Sequence, residues 1–350
     1  MRTDSIRLVN GGIDDETFSI IDGIMCRKLA ERGMVQGGIP IRLSWMDPAF
    51  ACTYEIADST EGMVVLAGNR SGFLSGVGRI LLDGSFTQTG FKPGPFRGMF
   101  TNRHELLGTY FATHFGNYYV TAPMDELRRL LEDLALYGQN YLPVWFDMHH
   151  YTGADDPNAV AFARRVSAML TLARRVGMKI DIGGLSNEAF STTPDPLKAQ
   201  WHAQNGYKHG LSHYHVEICP HAPGGMEWIL QNRRDMLELF RDLHPDFMSF
   251  SIYDQGGCTC EKCAPYGAKT YLDLTMQLHE LVKEYWPDTK LMLSAWLLGE
   301  PVDGEWEYWY DELSKPKYKD IEYIKGLSTA FYQIHPRVLK GEMLGDKKFL

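Results

Sequence analysis

The chain has 350 residues, 44% of them hydrophobic and 23% charged, with a formal charge of −9. That balance argues against a nucleic-acid partner, which needs clustered Lys and Arg. No run approaches the ~18 consecutive apolar residues of a membrane span. MRTDSIRLVNGG carries no apolar leader, so a cytoplasmic compartment is the default expectation.

Residues 1–92 read as a small α/β domain. Ile20, Ile21, Ile24, Met25 and Leu29 recur at helical spacing, IPIRLSW alternates as a strand, and GMVVLAGNRSGFLSGVGRILL reads as strand, turn and helix. The glycine spacing in GNRSGFLSGVG does not match a dinucleotide fingerprint, so no organic cofactor is expected. FKPGPFRG, with two prolines and two glycines, reads as a linker.

From residue 96 onward strand and helix patterns alternate. The expected strands are FRGMFTNRH, NYLPVWFDMHH, MKIDIGGL, DFMSFSIYD, TKLMLSAWLL and GLSTAFYQIH. Helices are expected over 123–137, 158–176, 225–243 and 267–286. Six successive β–α units imply a parallel sheet, and the expected fold is a (β/α)8-type TIM barrel over 96–350. With about 15 residues after the sixth strand, the barrel is expected to lack its last strands.

Barrel sites lie where strands end. The expected exits carry Arg103 and His104, then Trp145, Asp147, His149 and His150, then Asn187 and Glu188, then Asp254 and Gln255, then Trp296 and Glu300, then Tyr332. Glycosidic cleavage needs one carboxylic acid to protonate the leaving oxygen and a second group to attack, activate water or orient the substrate. Asp254 leads the candidates, because it ends a β-forming run and precedes Gly256 and Gly257, which let the backbone turn sharply. Glu188, Asp147 and Glu300 are the other candidates. Adjacent strand residues point to opposite faces, so only one of His149 and His150 is expected to face the site, bonding a sugar hydroxyl.

The sharpest local signal is CTCEKC, which brings Cys258, Cys260 and Cys263 within six residues. A closed structural zinc site needs a fourth ligand. Cys219 is the expected one, with His213, His215 and His221 as rivals. Cys26 and Cys52 are expected to be buried apolar residues.

GMVVLAGNRSGFLSGVGRILL resembles the end of the small domain that precedes the barrel in family 20 glycoside hydrolases. FRGMFTNRH and LALYGQNYLPVWFDMHH resemble the first barrel strands of that β-hexosaminidase-like superfamily. The segment from CPHAPGG to YDQGGCTCEKC resembles relatives of the DUF4838 type, grouped with endo-acting hexosaminidases. The resemblance spans about residues 15 to 335. It implies that Arg103 binds sugar hydroxyls, that Asp254 takes the first place of an Asp–Glu pair and orients a 2-acetamido group, and that Trp296 walls the sugar subsite. The chain departs from the pattern in having Gln255 where the acid Glu belongs.

The expected function is therefore a glycoside hydrolase acting on a hexosamine- or uronic-acid-containing glycan. Asp254, Glu188 and Glu300 would be its catalytic carboxylates. Arg103, His104, Trp145, His149, His150, Asn187, Gln255, Trp296 and Tyr332 would bind substrate. The competing readings are a glycan-binding protein that has lost the acid, and a metal-dependent enzyme using the cysteines and nearby histidines.

Overall fold

A computed structural model describes residues 5–50, 53–87, 90–211, 214–252, 256–325, 336–342 and 344–349. The chain divides into two compact units: Met1–Tyr110, Thr121–Leu142 and Met169–Lys179 form one, and Phe111–Val120, Pro143–Ala168 and Ile180–Leu350 form the other.

In the first unit, β1 (Ile6–Asn10) leads to α1 (Asp15–Ala30), then β2 (Ile39–Trp45), β3 (Thr53–Asp58), β4 (Met63–Ala67), α2 (Arg70–Asp83), the short hairpin of β5 (Ser85–Thr87) and β6 (Gly90–Lys92), and β7 (Gly98–Thr101). The sheet order is β1-β2-β4-β3-β7. The β1–β2 and β2–β4 pairs are parallel, and β3 runs antiparallel to both β4 and β7. Asp14 caps α1 by accepting from the Thr17 amide, and Asn69 caps α2 by accepting from the Gly72 amide. The expected apolar stripe of α1 is buried.

After α3 (Tyr118–Thr121), α4 (Met124–Leu136) follows Pro123. Arg27 of α1 bonds Glu132 and Asp133 of α4. Gly78 lets α2 press on the end of α4, where an added Cβ would lie 1.8 Å from the Leu136 carbonyl oxygen.

β8 (Tyr141–Trp145) and α5 (Pro157–Arg175) each belong partly to both units. The second unit continues with β9 (Lys179–Leu185), α6 (Gly225–Leu239), β10 (Phe247–Ser251), α7 (Tyr271–Tyr285), β11 (Lys290–Ser294), α8 (Glu305–Glu312), β12 (Ile321–Lys325), α9 (Pro336–Leu339) and β13 (Lys348–Phe349). Strands β8 to β13 lie in one sheet in sequence order. The β9–β10, β10–β11, β11–β12 and β12–β13 pairs are all parallel. Neighbouring parallel strands joined by helices are the repeating unit of a β/α barrel. Among the described residues no pairing closes this sheet into a ring.

Two strand expectations are corrected. Gly98–Thr101, expected to open the barrel, is instead the edge of the first sheet. Gly108 and Phe111 bridge in parallel to Tyr141 and Val144 at the free edge of β8, so the strand-like segment there lies later in the chain. The strand after β11 is Ile321–Lys325, whose central residues are buried between charged neighbours. GLSTAFYQIH lies outside the described residues.

A buried carboxylate cluster and a cysteine cluster

Leaving β8, the Phe146 amide donates to the Gly183 carbonyl, and Met148–His150 then forms one 3-10 turn rather than more strand. The turn cancels the strand alternation, so both histidines approach Asp147. His150 Nε2 lies 3.5 Å and His149 Nδ1 3.9 Å from Asp147 Oδ2. The indole N–H of Trp145 donates to the other oxygen, Asp147 Oδ1.

The exit of β9 is fixed by a short antiparallel contact. The Ile218 amide donates to the Asn187 carbonyl at 2.8 Å, the Ala189 amide donates to the Val216 carbonyl at 2.9 Å, and Asn187 Nδ2 donates to the Ile218 carbonyl. This pairing sets Glu188 opposite Glu217. It also carries His215 inward, its Nε2 3.6 Å from Asp147 Oδ2. Glu188 Oε1 lies 3.0 Å from His149 Nδ1. Donor atoms of Asp147, His149, Glu188 and His215 all fall within 4.8 Å of one another.

This cluster is enclosed. Glu188 is 0% exposed, and Asp147, His215 and Glu217 are each 2% exposed. Burial favours protonation of Asp147, but the imidazoles of His150 and His215 outweigh it and hold the carboxyl well below the usual carboxylate range. Burial, then the charge of Asp147, pushes Glu188 up to about 8. Burial and the Glu188 charge push Glu217 well above its ordinary value. His149 is lowered by burial to about 4, and His150 is raised by its contact with Asp147. Arg233 of α6 is also fully buried, donates to the Leu185 carbonyl at 2.6 Å, and is lowered by burial to about 10.

Above Asp147 opens a cleft of about 420 Å³, lined by Thr113 to Gly116, Asp147, His150, Tyr151, Phe162 and Tyr214 among others. Thr113 Oγ1 accepts from the Trp145 amide, which fixes the 111–116 segment on β8. Phe115 and Tyr214 are more than half exposed at the rim. Exposed aromatic faces beside buried polar groups suit the C–H faces and hydroxyls of a sugar ring.

The sequence-expected residues divide. Asp147, His149, His150 and Glu188 are brought together. Trp145 is buried as the partner of Asp147, and Asn187 is fully buried in the bridge to Ile218. Glu188 does not line the cleft. Trp296 is half-buried and Glu300 exposed in the loop after β11. Arg103 and His104 are exposed residues after β7, within the first unit. Asp254, Gln255 and Tyr332 lie outside the described residues. Three members of the cluster escaped the sequence reading. His215, named from the sequence only as a rival of Cys219 for the cysteine cluster, joins Asp147 instead. Glu217 follows it by two, the period of a strand face. Arg233 follows Ile229 by four on the buried face of α6.

The four cysteines do converge. Cys219 Sγ lies 3.7 Å from both Cys260 Sγ and Cys263 Sγ, and all four sulfurs fall within 4.8 Å of one another. A tetrahedron with ~2.3 Å metal–sulfur bonds has edges of about 3.8 Å. The set therefore fits a metal ion, and none of the four sulfurs is in a disulfide. Bonds from the Cys258 and Cys263 thiols pull Cys219 down to about 2, while Cys258 is pushed up to about 12 as donor. Gly256 and Gly257, at φ 74 and 91°, start the loop. A Cβ on Gly257 would lie 2.2 Å from the Tyr266 ring, so only glycine fits there. Cys26, expected to be buried, is exposed, and Cys52 lies outside the described residues.

No family model and no curated protein matches the chain. Solved structures do. The family 20 exo-β-N-acetylglucosaminidase of Vibrio harveyi superposes with a TM-score of 0.59 at 10% identity, over 99% of this chain and 57% of that one. The β-N-acetylhexosaminidase of Bacteroides fragilis gives 0.58 at 10% identity, over 100% and 71%. The family 20 β-N-acetylhexosaminidase of Streptomyces coelicolor gives 0.57 at 13% identity, over 94% and 67%. The chain thus spans little more than half the length of the Vibrio enzyme. What it shares with all three is the fold.

Proposed function

We propose that this chain, folded like the family 20 glycoside hydrolases, is a glycoside hydrolase acting on a hexosamine- or uronic-acid-containing glycan. The observation that carries the reading is the aromatic-rimmed cleft at the exit of β8, with a buried ionised carboxylate as its floor. In this reading Phe115 and Tyr214 stack on a sugar ring and His150 bonds a hydroxyl. Trp296 and Arg103 are further substrate contacts.

The bond-breaking carboxylates in this proposal are Asp254, three residues past the last residue of β10 in sequence, and Glu300, in the loop after β11. Glu300 is exposed and free to meet a leaving-group oxygen. Glu188, expected from the sequence to share that work, has no exposed surface, which argues for a role behind the cleft floor. A structural zinc ion on Cys219, Cys258, Cys260 and Cys263 is the proposed brace for the loop that follows Asp254. The ion would fix that loop without entering the reaction.

Gln255 beside Asp254 favours a second reading, a glycan-binding protein without turnover. Hydrolysis of a panel of aryl glycosides and natural oligosaccharides by the intact chain and by Asp254→Asn separates the two. Turnover of one sugar class, reduced ~10²–10⁴-fold in the variant, is expected of the hydrolase. Glycan binding with no turnover in either protein would establish the binder.

A further inference from the structure

We infer that Asp147, His149, Glu188 and His215 form a second metal site, closed and structural, for a divalent ion of the zinc class. This inference goes beyond the proposed hydrolase and does not depend on it.

The first ground is geometry. Two imidazoles and two carboxylates, carried by three separate segments, present one donor atom each within 4.8 Å of all the others. The measured edges are 3.0 Å from His149 Nδ1 to Glu188 Oε1, 3.6 Å from His215 Nε2 to Asp147 Oδ2 and 3.9 Å from His149 Nδ1 to Asp147 Oδ2. Four ligands at ~2.0–2.2 Å from a central ion are separated by about 3.3–3.6 Å. The set needs shifts of only a few tenths of an ångström at these edges.

The second ground is independent of spacing. Asp147 Oδ2 and Glu188 Oε2 are buried oxygens without a hydrogen bond of good geometry among the described residues. The buried guanidinium of Arg233 donates to the Leu185 carbonyl and lies over the face of Phe250, and it acts on Glu188 only through space, with no ion pair to either carboxylate among the described residues. Two buried carboxyl oxygens left without a hydrogen-bond partner are costly unless something coordinates them. One divalent ion with two neutral imidazoles does so completely.

The donor set also indicates the class of ion. Two ring nitrogens exclude the all-oxygen cages of calcium and magnesium and suit zinc or its first-row neighbours. Four protein ligands, none more than 7% exposed in its side chain, leave no open position, which is the pattern of a structural site. The ion would tie the 147–149 turn, the exit of β9 and the 214–219 segment together under the cleft.

The test is metal content and cobalt spectroscopy on the full chain. The protein is stripped, reloaded with Zn²⁺ and analysed by mass spectrometry for metal per chain, then reloaded with Co²⁺. Two equivalents are expected. In the Co²⁺ form, a strong sulfur-to-cobalt charge-transfer band should come from the cysteines and weaker ligand-field bands from a nitrogen–oxygen set. Cys260→Ser should remove the first signature and keep the second, and His215→Gln should do the reverse. One equivalent in the intact chain, with a purely thiolate spectrum, overturns the inference whether or not either variant folds. Loss of hydrolysis in Asp254→Asn with both equivalents retained would concern only the proposed activity.

Discussion

His215 and Cys219 lie four residues apart in one extended segment, yet each enters a different cluster: His215 Nε2 sits 3.6 Å from Asp147, and Cys219 Sγ sits 3.7 Å from Cys260 and Cys263. Between them, Ile218 and Val216 are bonded to the exit of β9. Disturbing the cysteine end should therefore be felt in the carboxylate end. Cys219→Ser is expected to cost more than about 3 kcal/mol of stability, the range associated with losing a bound metal. Urea unfolding with and without a strong chelator checks this. The chelator should destabilise the intact chain by clearly more than the variant, which keeps only the ion proposed on Asp147, His149, Glu188 and His215.

The aromatic rim predicts a binding effect rather than a chemical one. In the proposed hydrolase, Tyr214→Ala and Phe115→Ala remove exposed rings that would touch ground state and transition state alike. Each should raise KM by about threefold to tenfold and leave kcat nearly unchanged. A large fall in kcat at constant KM would place these residues in the reaction instead.

Glu305 predicts a pH effect on stability. It is 1% exposed, and its two oxygens accept from the Gly267 and Gly299 amides at 2.7 and 2.8 Å. Burial nevertheless raises it from 4.5 to about 7. A carboxyl raised on folding binds its proton more tightly in the native state. Stability is then undiminished below about pH 4.5, falls as pH rises towards about 7, and is flat above. The loss over that window is about 3 kcal/mol for this one group. Denaturation at pH 5 and pH 7.5 should show a fall in the native sequence that is smaller by about 2–3 kcal/mol in Glu305→Gln, the remainder coming from Glu188 and Glu217.

Gly78 predicts a packing effect. A methyl group there would lie 1.8 Å from the Leu136 carbonyl oxygen, and neither backbone can yield without moving a helix. Gly78→Ala should destabilise by about 1–3 kcal/mol or more, although alanine is the better helix former. A thermal melt that is unchanged or raised would mean that α2 and α4 do not meet as described.

The helices α1, α2, α4, α5, α6 and α7 were legible because each carries its own apolar period and stop. Strands β8 to β11 were legible as short buried runs. What failed were assignments that only pairing decides. Gly98–Thr101 reads as a strand on its own but does not say which sheet it joins. Ile321–Lys325 is shorter and more charged than the apolar run after it, which drew the reading away. In the site, Asp147, His149, His150 and Glu188 were visible as strand exits. Their meeting was not, because it depends on a 3-10 turn that reverses the alternation of His149 and His150. His215 and Glu217 are two apart in the segment that pairs with the exit of β9, and that period is the signal that could have linked them to each other.

The bridge between Asn187 and Ile218 has a consequence in time. One cluster draws on residues 147 to 215 and the other on residues 219 to 263, so neither exists in a chain that has emerged only as far as β9. Carboxylates and thiols that end up enclosed must stay hydrated until residues far downstream arrive. The cleft floor is thus a late product of folding, since long loops close before such contacts are rewarded. Slow refolding whose rate follows added Zn²⁺ would be its kinetic mark.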